Sequence, residues 1–382
     1  MKRLLAILSA LCLVGMLVPQ ARAEDLNINA KSALLMDIAT GTVLYEKNAH
    51  EALAPASVTK IMTMLLIMEA IDSGSLKYDD IVTASEAAAA KGGSQIFLKV
   101  GEQMPVSEML KSIAVSSAND CACAMAEHLA GSESAFVDRM NSRAQELGMQ
   151  DTHFVNCTGL DDGEDAKNHR TSAYDIALMS RELLKNHPDI QKYTTIWMDT
   201  VRGGAFGLSN TNKLIRFYPG ATGLKTGFTS GAGYCLSASA QREGLGLIAV
   251  TMGCESSKIR NAACKAMLDY GFANYALVTP ALEENAAVPV RLGTAPQAAA
   301  VLEGTESLLV PKAKKAGITT EITLEESVTA PVEKGTRLGT LKVRSGEELL
   351  LEAPLVAAEA VPRVGFGALF VRTLRMAAMA KG

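Results

Sequence analysis

Metal-binding spacing is missing from this chain. Its five histidines, His50, His128, His153, His169 and His187, stand apart, with no two at a separation that would let them share an ion. No metal and no other cofactor is therefore expected, and His153 and His169 read as structural. A surplus of positive charge is missing too: 37 Lys plus Arg face 41 Asp plus Glu, which argues against nucleic acid, whose recognition needs a basic surface. Cysteines are few and unclustered. Cys12 lies in the N-terminal apolar run, whereas Cys121, Cys123, Cys157, Cys235, Cys254 and Cys264 sit in apolar stretches rather than loops. They read as small buried hydrophobes, although their even number leaves bridges open.

The two ends differ from the body. Met1-Lys2-Arg3 is a positive start, Leu4 to Val18 an apolar core and Ala21-Arg22-Ala23 an A-x-A cleavage site, so residues 1–23 read as a secretory signal peptide. Its removal takes Lys plus Arg from 37 to 34 and leaves Asp plus Glu at 41, giving the mature chain a net charge of −7. From Val361 to Gly382 there is no acid, while Arg363, Arg372, Arg375 and Lys381 interleave with Phe366, Leu369, Phe370, Val371, Leu374 and Met376. On a helical wheel Arg372 and Arg375 share one narrow face. Residues 361–382 thus read as an amphipathic helix lying on a membrane surface, too short and too charged to span it. A terminal helix packed on its own domain is the alternative.

Three short motifs carry the chemistry: Ser57-Val58-Thr59-Lys60, Ser117-Ala118-Asn119 and Lys225-Thr226-Gly227, in that order. A serine hydroxyl needs a base within hydrogen-bond reach, and residues three apart on a helix lie about 5 to 6 Å apart between Cβ atoms. The run from Ile61 to Ile71 is apolar all round, which predicts a helix buried at a domain centre with Ser57 in its first turn. A lysine serving as base must have its pKa lowered by burial or by a second cation, for which Lys225 is the natural candidate. Each motif has a plainer reading. Lys60 could snorkel to the surface, Ser117 and Asn119 could cap the helix Cys121 to Ala130, and Lys225 to Gly227 could be a plain strand before a turn at Phe228 to Gly233. Against these, the stretch Ile61 to Met68 after Lys60 is apolar but for Thr63, and Gly227 would let a ligand approach the strand edge closely.

Together the motifs match the pattern of an active-site-serine acyl transferase that binds penicillin. With Gly41-Thr42-Val43-Leu44-Tyr45-Glu46-Lys47-Asn48, Pro55-Ala56-Ser57, Thr152-His153-Phe154, Asn210-Thr211-Asn212 and Gly223 to Thr229, the chain resembles a low-molecular-weight penicillin-binding protein of the D-alanyl-D-alanine carboxypeptidase family, densely over residues 30 to 275. The resemblance implies an α/β (α+β) penicillin-binding/β-lactamase-like transpeptidase domain, a sheet flanked by helices with a helical lobe. It implies Ser57 as acylated nucleophile, Lys60 as general base, and Ser117 with Asn119 relaying a proton and holding the substrate amide. Lys225, Thr226 and Gly227 would line the cleft, and the backbone N–H groups of Ser57 and Phe228 would form the oxyanion hole. The implied partners are peptidoglycan stem peptides ending in D-Ala-D-Ala, with β-lactams as covalent inhibitors.

The middle motif departs from the S-D-N of β-lactamases, and Glu164 with Asn168 offers an E-x-x-x-N that reads as a decoy in a solvated acidic loop, with Lys167 where a leucine is expected. Thr226 and Thr229 could supply hydroxyls to a terminal carboxylate and Arg260 the charge, though a surface arginine at a helix start is the plainer reading. Around Lys225, Tyr234 to Ala240 and Gly246 to Met252 read as strands, the last two joined by a hairpin turn at Arg242-Glu243-Gly244. After Thr279-Pro280 the pattern becomes period 2, with Ile318, Thr320, Ile322 and Leu324 on one face. The expected division is a signal peptide to 23, a catalytic domain 24–278, a small all-β C-terminal domain 279–360 and the amphipathic helix. The expected activity is removal of terminal D-alanine outside the cytoplasmic membrane. A D,D-endopeptidase, a β-lactamase and a once-acylated β-lactam sensor are the rivals.

Overall fold

A computed structural model describes residues 26–163, 165–280, 282, 286–304 and 307–370. The signal-peptide segment, Glu164 and the tail from 371, with Arg372, Arg375 and Lys381, lie outside the described residues.

Strands with apolar side chains on both faces need cover on both sides. β1 (Ser32–Asp37), β2 (Val43–Lys47), β3 (Ala221–Thr229), β4 (Gly233–Arg242) and β5 (Leu245–Cys254) form an antiparallel sheet in the order β2-β1-β5-β4-β3. Every residue of β1 is buried. Alternation sends Ala33 and Leu35 to one face, against Ala263, Cys264, Met267 and Leu268 of a C-terminal helix, and Leu34 and Met36 to the other. There they meet the helical lobe: α1 (Lys60–Asp72), α2 (Val106–Ser116), α3 (Asn119–Ala130), α4 (Glu133–Glu146) and α5 (Ala173–Asn186). The helix on the opposite face is α6 (Ser257–Asn274). Ser132, Ser172 and Ser256 cap α4, α5 and α6 by accepting the N–H three residues on. The hairpin turn falls at Glu243-Gly244, both at positive φ, as a two-residue connection requires. The strand motif runs through Thr229, so Phe228 and Thr229 belong to β3 and the turn is 230–232.

Beyond Tyr275–Val278, which pairs with Leu308–Pro311, six strands form one sheet around Val288, Leu338, Leu341, Val343 and Leu355. Ile318, Ile322 and Leu324 are half-buried, but Thr320 is exposed, because its strand is an edge that pairs only with Arg337–Ser345. Residues 366–370 are helical with Phe366 and Phe370 exposed. Among the described residues no helix is long and apolar enough to cross a membrane. The six described cysteines are buried and unpaired.

Candidate active site

Ser57 is presented by a tight turn at Ala56–Thr59 that leads into α1, so it precedes the α-helical turn in which spacing alone would put it. Ala56 takes φ 49°, and its carbonyl accepts the Thr59 hydroxyl at 2.9 Å. Thr59 Oγ1 in turn lies 2.7 Å from His169 Nε2. Because Val155 N–H donates to His169 Nδ1 at 3.1 Å, Nε2 is the nitrogen that carries the proton and donates it to Thr59. Burial first, then the charges of His153, Arg170 and Lys60, bring the His169 pKa down to about 4 and keep the ring neutral. His169 is a prop for the serine turn, whereas His153 is exposed and bridges Arg170 through its backbone.

Two glycines let other segments close on that turn. A Cβ at Gly159, whose φ is 84°, would lie 1.8 Å from the Ala56 carbonyl oxygen. One at Gly227 would lie 2.6 Å from the Pro55 carbonyl oxygen and 3.1 Å from Ser57 N. The close approach that Gly227 permits is thus made first by the serine's own turn rather than by a ligand. It also sets the backbone N of Ser57 beside β3 at Gly227.

Lys60 is wholly buried. Its Nζ lies 2.9 Å from Ser57 Oγ and 2.8 Å from the Thr158 carbonyl oxygen. Burial brings its pKa down to about 7 against the opposing pull of Cys157 and Asp120, which brings the free amine within reach near neutral pH. The snorkelling alternative fails. Burial, rather than Lys225, is the leading cause of that lowering, although the repulsion between the two amines is mutual. Lys225, itself buried, is held well below the usual lysine range by burial first and then by the charges of Lys60 and Arg260. Its Nζ donates to the Thr226 carbonyl at 2.9 Å.

Ser117 and Asn119 are not caps in the expected sense. Ser117 closes α2 in the left-handed conformation, φ 67°, and Asn119 opens α3 while its Nδ2 donates to the Gly92 carbonyl at 2.7 Å. Ser117 Oγ and Asn119 Oδ1 are buried without a protein partner, an arrangement that is costly unless something else is to be bound. Thr226 Oγ1 bonds Thr211 Oγ1 at 2.6 Å, and Thr229 Oγ1 accepts Ala232 N–H at 3.1 Å. Phe228 is exposed and its ring lies 4.3 Å from that of Tyr234. Arg260 is buried, not on the surface: its guanidinium reaches the Cys235 carbonyl at 3.4 Å and lies 5.8 Å over Tyr234. It stands close enough to act on Lys225.

Sequence reasoning overlooked three supports. The Thr158 carbonyl anchors Lys60. Asp120 accepts the N–H groups of Ile96, Leu98 and Cys121 and so fixes the loop beside Asn119. Thr211 holds Thr226. Backbone acceptors leave no trace in composition, whereas Thr211 stands within a quoted motif and Asp120 directly after one, and neither carried an assigned role.

Residues 19–256 match the family D-alanyl-D-alanine carboxypeptidase, and residues 279–363 match the C-terminal domain of penicillin-binding protein 5. The chain belongs to the D-alanyl-D-alanine carboxypeptidase family. It is similar to D-alanyl-D-alanine carboxypeptidase DacF of Bacillus subtilis, 44% identical over 388 residues that cover 98% of each chain. Penicillin-binding protein 5 from Haemophilus influenzae superposes with a TM-score of 0.74 at 29% identity, over 88% of this chain and 98% of that one. Penicillin-binding protein D2 from Listeria monocytogenes, solved in its ampicillin-bound form, gives 0.56 at 30% identity over 64% and 98%. The fold is that of the penicillin-binding proteins, a sheet flanked by helices followed by an all-β domain.

Proposed function

We propose that the protein is a serine-type D-alanyl-D-alanine carboxypeptidase that trims peptidoglycan stem peptides through an acyl-enzyme on Ser57. The observation that carries this is a buried amine with a pKa of about 7 standing 2.9 Å from a serine hydroxyl. Lys60 takes the Ser57 proton as Oγ attacks the carbonyl carbon of the penultimate D-alanine. The N–H groups of Ser57 and Phe228 receive the developing oxyanion. Lys60 returns the proton through Ser117 to the amine of the departing D-alanine, and a water activated by the same lysine then hydrolyses the ester. Asn119 Oδ1, free of protein partners, accepts a substrate amide N–H. Thr226, Thr229, Lys225 and Arg260 meet the terminal carboxylate along a strand edge that Gly227 keeps closed on the serine turn. β-Lactams acylate the same serine, and their ring-opened leaving group stays tethered.

We further assign residues 24–278 to the chemistry and 279–360 to a non-catalytic β domain. The protein is exported by its first 23 residues and held at the outer face of the membrane by the amphipathic tail; the acid-free composition of 361–382 supports this. The test is release of D-alanine from a diacetyl-lysyl-D-alanyl-D-alanine peptide over many turnovers, with Ser57→Ala alongside. Steady release that vanishes in the variant is expected. Penicillin labelling of Ser57 without release would instead favour an endopeptidase or a β-lactam sensor.

A further inference from the structure

A neutral amine that acts as a base must aim its single lone pair at the serine hydroxyl. Once one N–H is committed to a carbonyl, the amine's rotation is confined to orientations that keep that bond. In Lys60 the committed partner is the Thr158 carbonyl oxygen, at 2.8 Å. Thr158 lies in neither helix nor strand, so something else must fix its carbonyl.

That fixing comes from Asn156. Its Oδ1 accepts Thr158 N–H at 3.1 Å, the Thr158 hydroxyl at 3.1 Å and Gly159 N–H at 2.6 Å, while its Nδ2 donates to the Leu160 carbonyl at 2.9 Å. One side chain thereby folds residues 156–160 into a closed turn, in the manner of Asn at turn starts. The intervening Cys157 is pinned on both sides: its carbonyl accepts the Thr63 hydroxyl at 2.6 Å, and its N–H donates to Glu133 Oε1 at 3.2 Å. Gly159, the next residue in the turn, rests on the Ala56 carbonyl. The turn therefore joins the base, through Thr158, to the turn that bears the nucleophile.

We propose that Asn156 is a positioning residue for the general base, acting through the Thr158 carbonyl to aim the Lys60 amine at Ser57. The inference rests on the reading of Ser57 and Lys60 as nucleophile and base. The titratable groups around Lys60 are Cys157 in the turn, Asp120 on α3, Lys225 on β3 and His169 behind Thr59. A carboxylate at 156 adds an anion to this set, which favours the ammonium; loss of the carbonyl removes an acceptor that the ammonium uses, which favours the free amine. The two changes move Lys60 in opposite directions.

The experiment measures the rate of Ser57 acylation by a fluorescent penicillin between pH 5.5 and 9.5, in the full chain, for wild type, Asn156→Ala and Asn156→Asp, with thermal unfolding as a check on folding. The wild-type rate should rise through a midpoint near 7. Asn156→Ala should lower the plateau by about tenfold or more, the scale of a displaced reacting group, and shift the midpoint down by about half a unit. Asn156→Asp keeps the three bonds that Oδ1 accepts but loses the donor to the Leu160 carbonyl; its plateau should fall less than that of Asn156→Ala while the midpoint rises by about half a unit. Wild-type plateau and midpoint in both variants, or midpoints moving the same way, would overturn the proposal. Should Asn156→Ala fail to fold, Asn156→Ser, whose shorter side chain cannot reach all three donors, takes its place: a lowered plateau is expected, and a wild-type plateau and midpoint would overturn the proposal. A wild type that is never labelled at Ser57, or whose rate keeps climbing past pH 9, overturns the nucleophile and base reading and the inference with it.

Discussion

Lys60 is held in a place where its charged form is unwelcome, and the cost can be measured by removing it. In the unfolded chain the amine has the ordinary pKa of 10.5; in the folded protein burial lowers it to about 7. Between these values the unfolded state binds more protons than the native one, so wild-type stability rises with pH across that window and the penalty is complete below it. At about 1.4 kcal/mol per unit, holding Lys60 costs about 5 kcal/mol at pH 6, about 3 at pH 8 and about 2 at pH 9. Lys60→Met keeps the packing and removes the charge. It also leaves the Thr158 carbonyl without its donor, a loss of about 1–3 kcal/mol that does not vary with pH. The decisive quantity is therefore the change with pH: relative to wild type, the variant should lose about 3 kcal/mol of its advantage between pH 6 and pH 9. Urea unfolding followed by the fluorescence of Trp197, the single tryptophan, reports on the part of the chain that holds the site. A stability difference that is flat from pH 6 to pH 9 would refute the argument, because it would mean that Lys60 titrates alike in both states.

Three further outcomes follow from the same geometry. Ser117→Ala deletes a buried hydroxyl that has no protein partner, so unfolding should be unchanged within about 1 kcal/mol, while D-alanine release falls by about 100-fold or more. Gly159→Ala places a Cβ 1.8 Å from the Ala56 oxygen at a φ of 84°; urea unfolding should show a loss of about 2–5 kcal/mol, with penicillin labelling of Ser57 reduced in the folded fraction. Arg260→Met removes a buried guanidinium near Lys225, so steady-state kinetics should show KM for a carboxylate-ending peptide rising about tenfold, the scale of one charge-assisted contact, with kcat changed less.

The parts of this site that sequence made legible are those whose chemistry depends on side-chain identity at short range. Ser57 and Lys60 three residues apart, a largely apolar helix behind them, and the apolar runs of β4 and β5 joined by a hairpin turn follow from local pattern. What sequence did not reveal depends on contacts between distant segments. The burial of Arg260 arises because α6 lies across β4, and nothing near residue 260 announces that. The partner at Gly227 is a backbone some 170 positions upstream, so a glycine that looked open to a ligand was already spoken for. The Thr158 carbonyl is invisible for a simpler reason: every residue has one, and only the fold selects which carbonyl meets a buried lysine.

The serine turn is clamped by Gly159 on one side and Gly227 on the other, with backbone atoms rather than side chains as the jaws. Side chains can yield by changing rotamer; a backbone vice cannot yield without moving a strand or the turn at Asn156. Variation that excludes a β-lactam while still admitting a D-alanyl peptide therefore has little purchase at the nucleophile itself. It has more at the loop 92–98, which is tied to Asn119 and Asp120 by hydrogen bonds and to the core only through Ile96 and Leu98, and that loop is where drug escape in this protein should be sought.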